Sequence, residues 1–214
     1  MQAFSKVVTA GILAASIGSS GVGVAQAAVL FTLGNNPQTD QNVLFSSPQT
    51  GTTITGLTNQ TNTPVQFTST QSLTTGGQGQ GTLSPTNTAN LFTNFVFTVP
   101  GSTFGSLIFN PQIGGQPQGG GGTALVTAVA NDGTSTFNLP LGNGNNFLTI
   151  TTTGSTTLSS VSLSVPAPGG FNSLQQVRVG GIAAFTPVPE PASLALFGAG
   201  LLGLGAVRRR RNRA

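Results

Sequence analysis

Short runs of apolar and β-branched residues recur through the middle of the chain, and none shows a sustained helical period of 3.6. Thr, Ser, Val and Phe fill these runs, while Gly, Pro, Asn or Asp separate them at intervals of about ten residues. This pattern is typical of β-strands joined by turns. The predicted strands are 28–33, 42–47, 52–58, 65–70, 92–99, 104–110, 123–131, 134–139, 146–153, 158–165 and 173–185.

Side-chain alternation indicates how these strands are buried. Val161, Leu163 and Val165 alternate with serines, which predicts a strand with one apolar face. In the run 123–131 apolar residues occur at both odd-numbered and even-numbered positions, so both faces of the strand carry them. This predicts a strand buried on both sides. Arg178 lies between Val177 and Val179, so alternation points it away from the core.

Turn signals divide the same region into short strands. Asn-Asp-Gly at 131–133 predicts a hairpin with a type I′ turn, because Asp and Gly tolerate positive φ. Gly180–Gly181 inside an apolar strand predicts a bulge. The segments 74–81 and 111–122 are rich in Gly and Gln, and we expect them to be loops between strands.

These elements predict an all-β body, a β-sandwich or jelly roll, over residues 28–186. Roughly 160 residues are enough to bury a core without disulfides. Phe, Val, Leu and Ile side chains supply that core. The predicted core residues are Phe31, Phe45, Phe67, Phe95, Phe97, Phe109, Phe137, Phe147, Val161, Leu163, Val177, Val179 and Ile182.

Residues 1–27 predict a secretory signal peptide. Lys6 gives a short basic start, and a weakly apolar stretch follows it. Ala25 and Ala27 occupy the −3 and −1 positions of an A-x-A site, so we expect cleavage between Ala27 and Ala28. The glycines and serines at 18–21 interrupt the apolar stretch, which makes it a poor permanent membrane span. The alternative is an amphipathic or buried N-terminal helix.

Residues 187–214 predict a membrane-inserting tail. Residues 194–207 are apolar and uncharged, and as a helix they would extend about 21 Å, less than the roughly 30 Å hydrocarbon core. Arginines after this run extend its reach by snorkelling and are placed in the cytoplasm by the positive-inside rule. We therefore expect a short transmembrane helix with the body outside; the alternative is a buried core helix. The stop-transfer arginines are Arg208, Arg209, Arg210, Arg211 and Arg213.

This tail resembles a PEP-CTERM sorting signal over residues 188–214. The motif residues Val188, Pro189, Glu190 and Pro191 precede the apolar span and the arginine cluster in the family's order. The resemblance implies processing by an exosortase, a membrane-embedded cysteine protease-transpeptidase that removes the tail in or near the motif. It also implies a host that makes exopolysaccharide. The prolines favour an extended segment, since each fixes φ and removes a backbone donor, and such a segment suits a protease.

Charge and composition narrow the functions of the body. The formal net charge is +4, but residues 28–187 contain one cation, Arg178, and two anions, Asp40 and Asp132. Nucleic-acid affinity needs many Lys or Arg contacts with phosphates, so we expect no nucleic-acid partner. The chain has no Cys and no His, which excludes thiol catalysis and removes the usual general base.

The remaining charged residues of the body are explained by structural roles more readily than by catalytic ones. Asp40 and Asp132 would form a glycosidase pair only if roughly 5–10 Å apart, and both lie in turn-like sequence. Asp40 with neighbouring asparagines is a candidate calcium cluster that lacks the spacing of a calcium loop. Arg178 has three candidate roles: an ion pair with Asp40 or Asp132, binding of an anionic sugar, or an exposed charge that prevents another strand from pairing at the edge of the sheet. We expect no catalytic residue, no metal site and no cofactor.

The sequence therefore predicts an exported, non-enzymatic protein. Signal peptidase and exosortase are its expected processing partners, and residues 194–207 its membrane contact. After transient residence in the inner membrane, the expected location is the cell surface, outer membrane or exopolysaccharide matrix, with a structural or adhesive role. The alternative is a polysaccharide-binding or calcium-dependent surface-binding module.

Overall fold

The computed structural model describes residues 28–39, 41–76, 79–86, 91–113, 122–166 and 169–185. Four predicted features lie wholly or mostly outside these residues: the signal peptide of residues 1–27, Asp40, residues 114–121 of the predicted loop 111–122, and the whole tail with its motif, span and arginines. Ala28, the first residue after the predicted cleavage point, is described. Its backbone N–H donates to Thr153 Oγ1 over 3.1 Å, and its carbonyl accepts from the Thr153 N–H over 3.0 Å.

The all-β prediction is confirmed for the described residues, which contain fourteen strands and no helix. No helix in this part of the chain therefore has the length and apolarity needed to cross a membrane. The strands are β1 Val29–Leu33, β2 Gln41–Leu44, β3 Thr50–Thr58, β4 Pro64–Thr75, β5 Leu83–Pro85, β6 Asn94–Thr98, β7 Ser102–Thr103, β8 Ser106–Ile113, β9 Gly122–Ala130, β10 Gly133–Leu141, β11 Leu148–Thr152, β12 Leu158–Ser164, β13 Phe171–Gly180 and β14 Ala183–Ala184.

Antiparallel pairing joins twelve of these strands into one sheet. Its order is β1-β11-β8-β13-β2-β3-β4-β6-β12-β9-β10, and β5 pairs with both β4 and β13. A separate pair is formed by β7 and β14. Because β5 links β4 back to β13, the strands β13, β2, β3, β4 and β5 form a closed circuit of pairings. The side chain of Phe45, which follows β2, is packed between Gly56 and Gly81.

Aromatic contacts show that the sheet curls so that its two halves face each other. Phe31 on β1 stacks on Phe137 of β10 with ring centroids 5.3 Å apart, although these strands are the two ends of the sheet order. Phe95 on β6 meets Phe109 on β8 edge-on at 5.9 Å. Since β6 and β8 are not hydrogen-bonded neighbours, this contact crosses the space between the halves, and the core lies there.

The predicted core is largely confirmed, with one wrong assignment and several omissions. Phe147 is half-buried and lines a surface pocket instead of the core. Phe92, Phe104 and Phe171 are at most 1% exposed and were not predicted. Phe92 and Phe104 lie on isolated bridges, outside regular strands, where alternation carries no signal.

Burial on both sides of β9 is a prediction that the structure contradicts. Ala124, Val126 and Ala128 face the core, but Leu125 and Val129 on the other face are 43% and 38% exposed. Among the described residues the sheet has no second layer over this face, so the apolar residues there remain accessible to solvent.

Several strand ends differ from their predicted positions. Strand β4 continues to Thr75 and β8 to Ile113, each into a segment predicted as loop. The last predicted strand is two strands, because β13 ends at Gly180 and Gly181 takes a φ of +64°. The bulges of β13 lie earlier, with register shifts between Phe171 and Ser173 and between Gln175 and Arg178.

The hairpin at 131–133 is confirmed, but its turn type is not. Gly133 pairs with Ala130 across the two-residue connection from β9 to β10. Gly133 has a φ of +141°, whereas Asn131 and Asp132 do not have positive φ. A type I′ turn requires positive φ at both central residues, so Gly133 rather than Asp132 supplies the unusual backbone conformation.

Candidate functional site

A polar cavity of about 230 Å³ opens on the outer face of the sheet around Arg178. Val177 and Val179 belong to the core, so Arg178 between them points to the opposite face. Ile108 lies in register with Arg178 on β8 and is fully buried, although it is not part of the core cluster. The cavity, called the Arg178 pocket below, is lined by Asn35, Gln38, Gln80, Ile108, Phe147, Gln176 and Arg178.

The guanidinium of Arg178 is held by a neutral partner. Its Nη1 donates a hydrogen bond to Oε1 of Gln38 in the β1–β2 loop. Gln38 is fixed in turn, because its Nε2 donates to the carbonyl oxygen of Asn35 over 2.6 Å. Nε of Arg178 is buried and has no hydrogen-bond partner. Thr39 Oγ1, next to Gln38 in sequence, is the other buried side-chain polar atom without a partner in the described part of the chain.

A backbone irregularity in β13 shapes one wall of the pocket. The register between β13 and β8 shifts between Gln175 and Arg178, so β13 carries one extra residue there. Gln176 within this bulge has a φ of +52°. A residue other than glycine rarely adopts such a φ, and bulges re-aim the side chains around them. The bulge therefore brings both Gln176 and Arg178 to the pocket.

A network of amide groups holds the loop between β10 and β11, which contributes Phe147 to the pocket. Asn110 on β8 is fully buried; its Nδ2 donates to Asn145 Oδ1 over 2.9 Å, and its Oδ1 accepts from the Asn146 N–H over 2.7 Å. Nδ2 of Asn146 donates to the carbonyl oxygens of Pro111 and Gly142, each over 3.0 Å. These bonds fix the loop that carries Phe147, whose carbonyl oxygen accepts from the Gly34 N–H.

The structure does not pair Arg178 with Asp132. Asp132 is exposed at the β9–β10 hairpin, and its Oδ2 accepts a hydrogen bond from Thr156 Oγ1 over 2.7 Å. Nor does Arg178 protect an edge, because β13 is paired on both sides. Asp40, the other predicted member of a catalytic pair or calcium cluster, lies outside the described residues.

The asparagines of the candidate calcium cluster make amide contacts of their own. Asn42 Oδ1 accepts from Gln80 Nε2 over 3.2 Å, and Asn36 Nδ2 lies 3.5 Å from Asn35 Oδ1. In the part of the chain that the structure describes, no three His, Cys, Asp or Glu side chains come together.

Sequence reasoning singled out Arg178 but missed its neighbours in the pocket. Gln38, Gln80 and Gln176 come from three separate segments of a chain that is rich in polar uncharged residues. No motif links them. The only local signal was the position of Arg178 between two core valines.

The C-terminal tail is identified by comparison with family models. The model described as the PEP-CTERM protein-sorting motif matches residues 187–211. The tail is a PEP-CTERM sorting motif. The resemblance predicted from residues 188–214 is thus confirmed, and the PEP-CTERM motif indicates an exported protein that is targeted to an exosortase and transits the membrane. No curated protein and no solved structure matches the chain.

Proposed function

We propose that this protein is a non-catalytic structural or adhesive component of the cell surface or exopolysaccharide matrix. The observation that carries the proposal is the PEP-CTERM motif at residues 187–211, joined to an all-β body. The body has few groups suited to proton transfer: its carboxylates are Asp40 and Asp132, and the chain has no His and no Cys. Asp132 is an exposed hairpin residue bonded to a hydroxyl group.

The order of events in this proposal follows from the two ends of the chain. Signal peptidase cleaves after Ala27, and residues 194–207 then hold the tail in the inner membrane while the body lies outside. The exosortase acts at or near residues 188–191 and frees the body for the surface or matrix. Ala28, the first residue after that cleavage point, is hydrogen-bonded to Thr153.

A variant whose body has no carboxylate side chain tests the non-catalytic role. The host gene is replaced by one encoding Asp40→Asn and Asp132→Asn together, and attachment of cells to a surface is compared with wild type and a gene deletion. We expect the double variant to match wild type and the deletion to attach less. The amide introduced by Asp132→Asn keeps an oxygen that accepts from Thr156 Oγ1. Loss of attachment by a normally exported double variant would contradict the proposal and favour an enzyme.

The Arg178 pocket favours a second candidate function, polysaccharide binding. A half-buried cation surrounded by amide side chains is suited to a polar, anionic ligand. This function is compatible with an adhesive role, because a matrix component must hold other matrix molecules.

A further inference from the structure

Arg178 has more hydrogen-bond donors than the described residues satisfy. A guanidinium carries five N–H donors in a rigid planar fork. Nη1 donates to Gln38, whereas the buried Nε has no partner. Buried polar groups are nearly always hydrogen-bonded, so the buried Nε marks Arg178 as a side chain whose donors the described residues do not satisfy. Thr39 Oγ1, one residue beyond Gln38, is orphaned too.

The charge of Arg178 is also unbalanced among the described residues. Arg178 is the only cation there, and Asp132, the only anion there, is bonded to Thr156. A half-buried charge without a counterion raises the free energy of the folded protein, and a bound anion lowers it. Carboxylates match the guanidinium fork because they accept two parallel hydrogen bonds.

The remaining lining of the pocket suits hydroxyl groups. Asn35, Gln38, Gln80 and Gln176 present amides, which both donate and accept hydrogen bonds. Half-buried Phe147 adds an apolar surface of the kind that carbohydrate rings pack against. The volume of about 230 Å³ is smaller than pockets for drug-sized ligands, which span roughly 300–1,000 Å³. A single sugar unit is therefore a better match than a larger ligand.

The backbone at the pocket adopts an unusual conformation at Gln176, which is exposed and has a φ of +52°. The bulge that contains Gln176 lets Leu174 and Val177 both face the core. The same bulge brings the side chains of Gln176 and Arg178 to the lining of the pocket.

We propose that the Arg178 pocket binds the carboxylate of a uronic acid unit in an acidic polysaccharide. The carboxylate accepts from the guanidinium of Arg178, and the surrounding amides bind the sugar hydroxyls. This inference rests on the proposed surface location, because such polymers lie outside the cell.

Calorimetric titration of the full-length chain in detergent tests the inference. The probes are a galacturonic acid trisaccharide, a neutral galactose trisaccharide and inorganic phosphate. We expect the acidic trisaccharide to bind, with an affinity that falls as salt increases, and the other two to bind at least tenfold more weakly. Equal binding of phosphate, or of the neutral sugar, would overturn the assignment to a uronic acid.

Variants locate the binding in the pocket. Arg178→Gln removes the charge, and we expect at least a tenfold loss of affinity. Arg178→Lys keeps the charge and the aliphatic stem but loses the fork, so a smaller loss is expected. Gln66→Ala, on β4 and outside the pocket, is the matched control and should bind as wild type does. Unchanged binding by folded Arg178→Gln protein would overturn the inference, with folding checked by far-ultraviolet circular dichroism.

Failure of this inference is distinguishable from failure of the proposed function. A wild-type protein that binds none of the three probes overturns the inference, while attachment by the carboxylate-free variant still supports the structural role. Normal binding together with loss of attachment in that variant contradicts the structural role and leaves the pocket assignment standing.

Discussion

Gln176 and its neighbour Gln175 show how one backbone angle changes what a residue contributes to the stability of the fold. Both are glutamines on β13, but only Gln176 has a positive φ, of +52°. The left-handed conformation costs a residue with a Cβ atom about 1–2 kcal/mol, a cost that glycine avoids. The sequence QQVRV does not reveal which glutamine is strained, because the register shift against β8 decides it.

Glycine substitutions at these two positions should have opposite effects on stability. Gln176→Gly relieves the strain, and we expect it to raise the free energy of unfolding by about 1 kcal/mol. Gln175→Gly, the matched control, should lower it by about 0.5–1 kcal/mol, since glycine weakens a regular strand. Urea unfolding followed by far-ultraviolet circular dichroism measures both, because the chain has no Trp or Tyr for fluorescence. Destabilisation by Gln176→Gly would show that the angle is not strained.

Strands in which apolar and polar residues clearly alternate could be located from the sequence. The shortest strands, which are defined only by pairing with neighbouring strands, could not. Strand β12, in which apolar residues alternate with serines, begins where predicted and ends one residue earlier. Strands β5 and β7, of three and two residues, were not predicted, since so short a run has no period. The closure of the sheet depends on β5, so local pattern alone did not reveal it.

The stacked pair Phe31 and Phe137 tests whether the two ends of the sheet pack together. Their rings are nearly parallel, with an interplanar angle of 9°. A double-mutant cycle with Phe31→Leu and Phe137→Leu should give a coupling free energy of about 0.5–1.5 kcal/mol. Phe67 is the control partner, and its Leu variant should be additive with Phe31→Leu. Additivity of the Phe31 and Phe137 variants in urea unfolding would contradict the curled arrangement of the sheet.

In the molecule as a whole, the sorting tail was more predictable from sequence than the Arg178 pocket. The tail is a contiguous motif whose residues follow one another, so a linear pattern identifies it. The Arg178 pocket joins residues from Asn35 to Arg178, and only the folded sheet brings them together. A sequence with few charged residues gives little signal for such a site, because its other polar members are common amides.

The intact mass of the protein in each fraction of its native host shows whether both ends of the chain are removed. We expect a surface or extracellular species that begins at Ala28 and ends near Pro189. A host lacking the exosortase should instead accumulate a membrane-bound form that starts at Ala28 and keeps its arginines. Wild-type protein that retains Arg213 in every fraction would contradict the account, because the tail would then be a permanent anchor and not a processed sorting signal.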